Sequence, residues 1–139
     1  MKAKQIVSVI AIITLTSSLI FAGGKPEQEA QKSAEQWLAL VDGGKFTESW
    51  KATSPVFQAA VSQAQWELKG KKIRESFGNV ASRKLKSARY TKSVPGAPDG
   101  EYVILQFDTS FAKKKTAVET ITPMRDKDGR WKVSGYYIK

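Results

Sequence analysis

With no histidine and no cysteine in 139 residues, this chain has no imidazole base, no thiolate nucleophile and no zinc ligands of the usual kind. Proton transfer or cation binding would fall to carboxylates, helped by Arg, Lys, Tyr, Ser or Thr. Two carboxylates stand out, Asp108 in "YVILQFDTSF" and Glu119 in "AVETITPM". Both stretches alternate apolar and polar residues, as half-buried strands do. A two-residue turn at Lys113-Lys114 pairs Phe107 with Thr120 and Val103 with Met124. It also sets Asp108 opposite Glu119 on the outer face, with Tyr136 beside them. Facing carboxylates repel. They would share a proton and do acid/base work, or hold a hard cation. Alternatively, Arg83 or Arg89 neutralises them. A three-residue turn at 113–115 instead sends Glu119 inward beside Thr109, as the only acid inside the fold. The catalytic candidates are therefore Glu119, Asp108 and Arg83, with Tyr102 and Tyr136 assisting. Ser62 and Ser134 have no histidine to activate them, so a serine triad is excluded. No glycine spacing matches a phosphate loop, and neither a metal nor a cofactor is expected.

The elements that would position these residues read as helices first and strands after. Pro26, Glu27 and Glu29 suit a helix start. Ala30, Ala34, Trp37, Leu38 and Val41 form one helical face, and Gly43-Gly44 ends it. A short helix is expected over 46–52 with Thr47 as its N-cap, stopped at Ser54-Pro55. Ser62 and Gln65 form a capping box for a further helix, whose stripe is Trp66, Gly70, Ile73 and Phe77. Gly70 weakens that helix by about 1 kcal/mol, and the expected reason for a glycine there is close approach by another element. From Val80 the period changes to two. Strands are expected at 80–93, 101–112, 115–126 and 130–138, with a four-residue turn at Asp126–Gly129. That turn pairs Met124 with Trp131, Thr122 with Val133 and Val118 with Tyr137. The expected inner face is Val103, Leu105, Phe107, Phe111, Val118, Met124, Trp131, Val133 and Tyr137. The outer face would carry Ile104, Ile121, Ile138, Tyr102 and Tyr136, apolar enough to pair two copies into a homodimer. Helices followed by an antiparallel meander make an α+β domain.

Three features have binding readings. Trp37, Trp50, Trp66 and Trp131 would form an aromatic ligand pocket, or simply the core. The loop "VPGAPDGEY" is rigid through its prolines, so Pro95, Asp99 and Tyr102 would suit partner recognition, or a structural turn. Residues 69–92 hold Lys69, Lys71, Lys72, Arg74, Arg83, Lys84, Lys86, Arg89 and Lys92 against one acid, Glu75. Such a patch would dock on an anionic surface, or serve as a solvated face.

The N-terminus directs the choice of partner. Lys2 and Lys4 precede an apolar run to Phe21, and Ala22-Gly23-Gly24 follows. This reads as a signal peptide, residues 1–22 with cleavage as late as Gly24, ahead of one domain at 23–139. The run is short and contains Ser8, Thr14, Thr16, Ser17 and Ser18, which speaks against a spanning anchor. An exported, periplasmic or secreted protein would meet envelope proteins or anionic envelope surfaces rather than nucleic acid. No later segment would span a membrane.

The strings "WLALVDGGKFTESW", "FGNVASRKL", "VPGAPDGEYVILQFDTSF" and "VETITPMRDKDGRWKVSGYYI" resemble a family of exported bacterial proteins known as domain of unknown function 4019. At fold level the chain is similar to the nuclear transport factor 2-like, or cystatin-like, cone. That resemblance implies a helix lying in a curved sheet. It carries over no activity, because the fold hosts isomerases, dehydratases and non-enzymatic modules. Two functions follow as expectations: a non-catalytic exported binding module, or a His-free isomerase or dehydratase using a carboxylate inside the cone.

Overall fold

A computed structural model describes residues 24–139; the expected signal peptide, 1–22, lies outside the described residues. Helix α1, Lys25–Asp42, carries Pro26 in its first turn and buries Ala30, Ala34, Trp37, Leu38 and Val41. It ends as expected at Gly43-Gly44, where Gly44 has a φ of 73° that favours glycine.

Helix α2, Phe46–Lys51, has its N-cap two residues before the expected Thr47. Lys45 is its N-cap and makes no side-chain cap, while the Thr47 hydroxyl donates to Glu67 instead, at 2.5 Å. Ser54-Pro55 does more than stop a helix. It begins α3, Pro55–Ala60, with Ser54 accepting from the Phe57 amide. Ser62 and Gln65 form the expected capping box of α4, Gln63–Phe77. Among the described residues, no helix is long and apolar enough to cross a membrane.

Four strands follow: β1 Val80–Thr91, β2 Tyr102–Phe111, β3 Lys114–Arg125 and β4 Trp131–Ile138. They form one antiparallel sheet in the order β1-β2-β3-β4, and the helices pack against one face of it. The class is α+β, as read from the sequence.

The register differs from both turns considered above. The β2–β3 turn sits at Ala112-Lys113, and β3 holds an extra residue between Lys114 and Ala117. Phe107 therefore pairs with Glu119, and Leu105 with Ile121. The β3–β4 loop is also one residue tighter. The Asp126 amide donates to the Arg130 carbonyl at 2.8 Å, and Gly129 takes a φ of 81°, the three-residue hairpin form. Pro123 then pairs with Val133.

A bulge at Ser134 shifts the rest of β4, so that Ile121 pairs with Tyr136 and Glu119 with Ile138. The expected inner positions Val118, Met124 and Tyr137 are thus outward, and Ala117, Glu119, Ile121 and Tyr136 are inward. Ile121 and Ile138, expected outside, both face inward. The physical reason is the period of two: each one-residue change in a turn flips every side chain beyond it.

Gly70 serves the close approach expected of it. A Cβ there would lie 2.8 Å from the Phe46 ring, closer than packed carbons tolerate. Gly70→Ala should lower stability by about 1–3 kcal/mol through overpacking, even though alanine favours the helix by about 1 kcal/mol. Urea unfolding measures the balance; a stabilised variant would mean that Phe46 moves aside at little cost.

Candidate functional site

Glu119 is the only charged side chain fully buried among the described residues. Every strand contributes to its surroundings. From β1, Arg83 Nε donates to Oε1 at 2.7 Å; from β2, the Thr109 hydroxyl donates to the same oxygen at 2.6 Å. From β4, the Tyr136 hydroxyl donates a short hydrogen bond to Oε2.

Two helices close the network. Asp42, the last residue of α1, accepts from Arg83 at 2.7 and 3.1 Å and from Arg74 of α4 at 2.9 Å. Arg74 Nη2 also stands 3.9 Å from Glu119 Oε2. An acid at a helix C-terminus opposes the helix dipole, and these two guanidinium groups offset that penalty. Two arginines face two carboxylates, so the cluster as a whole is neutral.

Burial disfavours the charge on Arg83, but its bonds to Asp42 and Glu119 outweigh this and hold its pKa above the usual guanidinium range. Burial, then the Glu119 charge, pushes the Tyr136 phenol well above its ordinary value. The Arg74 guanidinium lies over the Phe111 ring, 5.2 Å from its centroid. Its Nε and Nη1 are buried without a hydrogen-bond partner among the described residues.

The apolar half of the interior is aromatic. Trp37 and Trp66 pack with their rings tilted at 5.4 Å, and Tyr136 meets both edge-on at 5.2 and 6.1 Å. Phe57 adds a further edge contact to Trp66 at 5.6 Å. Ser49 satisfies both indoles, its carbonyl accepting from Trp37 and its hydroxyl from Trp66, each at 2.9 Å. Trp50 packs against this core, with its indole donating to the Val61 carbonyl at 2.8 Å. Trp37 and Trp66 are buried, so these rings fill the space that an aromatic ligand pocket would need. Ser49 had no signal in the sequence beyond being small and polar, and Ser54 read only as part of a helix stop.

Asp108 is not part of this cluster. It is exposed on the outer face, with Lys84 and Val118 beside it in register. The facing pair of Asp108 and Glu119 is therefore corrected, and with it the shared proton and shared cation. Sequence reasoning did foresee Glu119 beside Thr109, although through a different turn.

The basic run is also divided. Arg74 and Arg83 are drawn inward by Asp42 and Glu119. Lys69, Lys71 and Lys72 are exposed on α4, and Lys84, Lys86, Arg89 and Lys92 on β1 and just past its end. Lys84 and Arg89 alternate with inward Arg83 and Tyr90, so they point away from the helical side.

The loop 94–101 folds onto its own sheet. Ala97 donates to the Val94 carbonyl around Gly96, whose φ is 78°. The Tyr102 hydroxyl donates to the Pro98 carbonyl at 2.5 Å, and Tyr102 is buried. Pro95 and Asp99 remain exposed.

A hollow of about 350 Å³ opens next to the network, with Asp42, Arg74 and Phe46 among its walls; Glu119 is not among them. The fold and site together define an α+β protein with a sealed internal carboxylate. The chain belongs to the family described as a protein of unknown function, DUF4019, whose model matches residues 33–136.

No curated protein matches the chain. Among solved structures it is similar to a protein from Catenulispora acidiphila, with 13% identity and a TM-score of 0.53, covering 80% of this chain and 88% of that one. It is also similar to Aln2 from a Streptomyces species, with 11% identity and a TM-score of 0.50, covering 80% of this chain and 87% of that one. At such identities the likeness extends to the fold alone.

The network's chemistry can be tested in two ways. Arg83→Met removes the closer ion pair of a buried carboxylate and should cost about 3–5 kcal/mol in urea unfolding. Adding Glu119→Gln should cost less than the sum of the single changes, because the two share one interaction; strict additivity would argue against the pairing.

The second test concerns pH. Tyr136 keeps its proton in the folded state while an unfolded tyrosine releases it near about pH 10. The folded state then binds more protons, so this contribution to stability is complete below about pH 10 and is lost as pH rises beyond it. Tyr136→Phe should flatten that fall by up to about 1.4 kcal/mol per pH unit; an unchanged slope would refute the assignment.

Proposed function

We propose that the protein is an exported, non-catalytic binding module of the cell envelope. The observation that carries this reading is the enclosure of Glu119, which is fully buried and hydrogen-bonded at both oxygens. A general base must lie within hydrogen-bond reach of substrate. Glu119 already accepts from Arg83, Thr109 and Tyr136, and aromatic rings occupy the adjoining interior. A His-free isomerase or dehydratase would need this carboxylate beneath an open cavity. The helix-on-sheet layout is in keeping with a nuclear transport factor 2-like fold, which serves binding as readily as catalysis.

Interaction then falls to the surface. Lys84, Lys86 and Arg89 are exposed on β1 and Lys92 just past its end, which supports docking on an anionic envelope surface. Export rests on the basic, apolar and small-residue order of the first 24 residues. Self-association through the outer sheet face would use Ile104, Val118, Met124 and Tyr137, of which Tyr137 is the most exposed.

Protein purified after export should sediment with vesicles containing phosphatidylglycerol and not with pure phosphatidylcholine vesicles, and less so as salt is raised. Glu119→Gln, if folded, should bind as well as the parent. Lys84→Glu/Lys86→Glu/Arg89→Glu should lose binding. Equal binding to neutral vesicles, or retention by the triple variant, would overturn the surface reading.

A further inference from the structure

Two adjoining hollows, about 580 and about 520 Å³, run between the exposed side of α1 and the start of β4. They share Ser33, Gln36, Arg130 and Trp131. Each falls within the range of small-molecule clefts, roughly 300–1,000 Å³. Neither is walled by Glu119, Arg83 or Asp42.

The floor is fixed by long-range contacts. Ser33 donates to the Trp131 carbonyl at 2.5 Å, and the Trp131 indole donates to Glu29 at 3.3 Å. Apolar wall comes from Trp37, Leu40 and Val133.

Charge around the groove is one-sided. Lys51 and Arg130 line the larger hollow and Lys32 the smaller. All three are exposed, and none forms an ion pair among the described residues. Lys132 differs, because Asp126 and Asp128 hold its ammonium at 2.7 and 3.3 Å. The one acid in the walls, Glu29, is engaged by the Trp131 indole and by Lys25 at 3.8 Å.

We infer that this groove binds a small organic anion. Its carboxylate, sulfonate or phosphate group would lie between Arg130 and Lys51, where the guanidinium offers a planar fork of donors. Its apolar body would rest along Leu40 and Ala52, over the edges of the buried Trp37 and Val133. This deepens the binding-module reading and rests on it, but the groove is separate from the cationic face of β1.

Anilinonaphthalene sulfonate, an apolar anion whose fluorescence rises in dry surroundings, is the probe. The purified chain should bind it, and the uncharged anilinonaphthalene about tenfold more weakly. Lys51→Glu/Arg130→Glu should weaken sulfonate binding by about tenfold or more while keeping the parent's circular dichroism and vesicle binding. If that pair does not fold, Lys51→Gln/Arg130→Gln replaces it. Lys84→Glu/Arg89→Glu, the same charge change on β1, should leave probe affinity within about twofold. Unchanged affinity in the groove variant, equal loss in the β1 variant, or equal binding of the uncharged probe would overturn the site. Loss of vesicle binding alone would count against the envelope-docking reading and leave the groove standing.

Discussion

A fully buried carboxylate sets the terms for this fold. Removing an ion from water costs several kcal/mol even after relaxation, so Glu119 is tolerable only where partners meet it from every side. Arg83, Thr109 and Tyr136 come from the other three strands, and Asp42 and Arg74 from two helices. Each partner is useful only in one register and one helix position. A strand slipped by one residue would leave Arg83 buried opposite no acid, or Glu119 in solvent. The ion pair therefore works more as a constraint on alternatives than as a net source of stability.

Tyr136 links this polar half of the interior to the aromatic half. Its hydroxyl serves Glu119, and its ring packs edge-on against Trp37 and Trp66. It reaches both because β4 bulges at Ser134. That bulge is held from the helical side: Ser54 donates its amide to the Val133 carbonyl at 2.9 Å, and its hydroxyl meets the Ser134 hydroxyl at 2.7 Å. One small residue at the start of α3 thereby helps decide which tyrosine, 136 or 137, faces inward. The result of such an arrangement is an acid enclosed by protein and hydrogen-bonded at both oxygens.

The cationic run from Lys69 to Lys92 illustrates the difference between sequence proximity and surface proximity. Nine basic residues close in sequence are separated by a helix-to-strand turn. Two are neutralised inside, three lie on α4, and the others follow β1. The groove beside Trp131 has the opposite history. Lys32, Lys51 and Arg130 are far apart in the chain and gather only because α1 lies across the start of β4.

Much was nevertheless legible beforehand. Helical spacing identified the buried face of α1, the Ser62–Gln65 box marked α4, Gly70 indicated a close approach, and the change to a period of two located all four strands. These are local signals, carried by residues within a turn or two of each other. The faces of β3 and β4 were not legible in the same way. An alternating strand reads equally well with either face inward, and a one-residue change at a turn reverses the choice. What broke that symmetry was the pairing of Glu119 with Arg83, 36 residues apart, and the hold of Ser54 on a bulge 80 residues away. The sequence by itself determined which segments are helices and strands and in what order they occur. Only the tertiary structure decided that the acid lies inside and is already taken, because that depends on groups that meet solely when the sheet and helices close on one another.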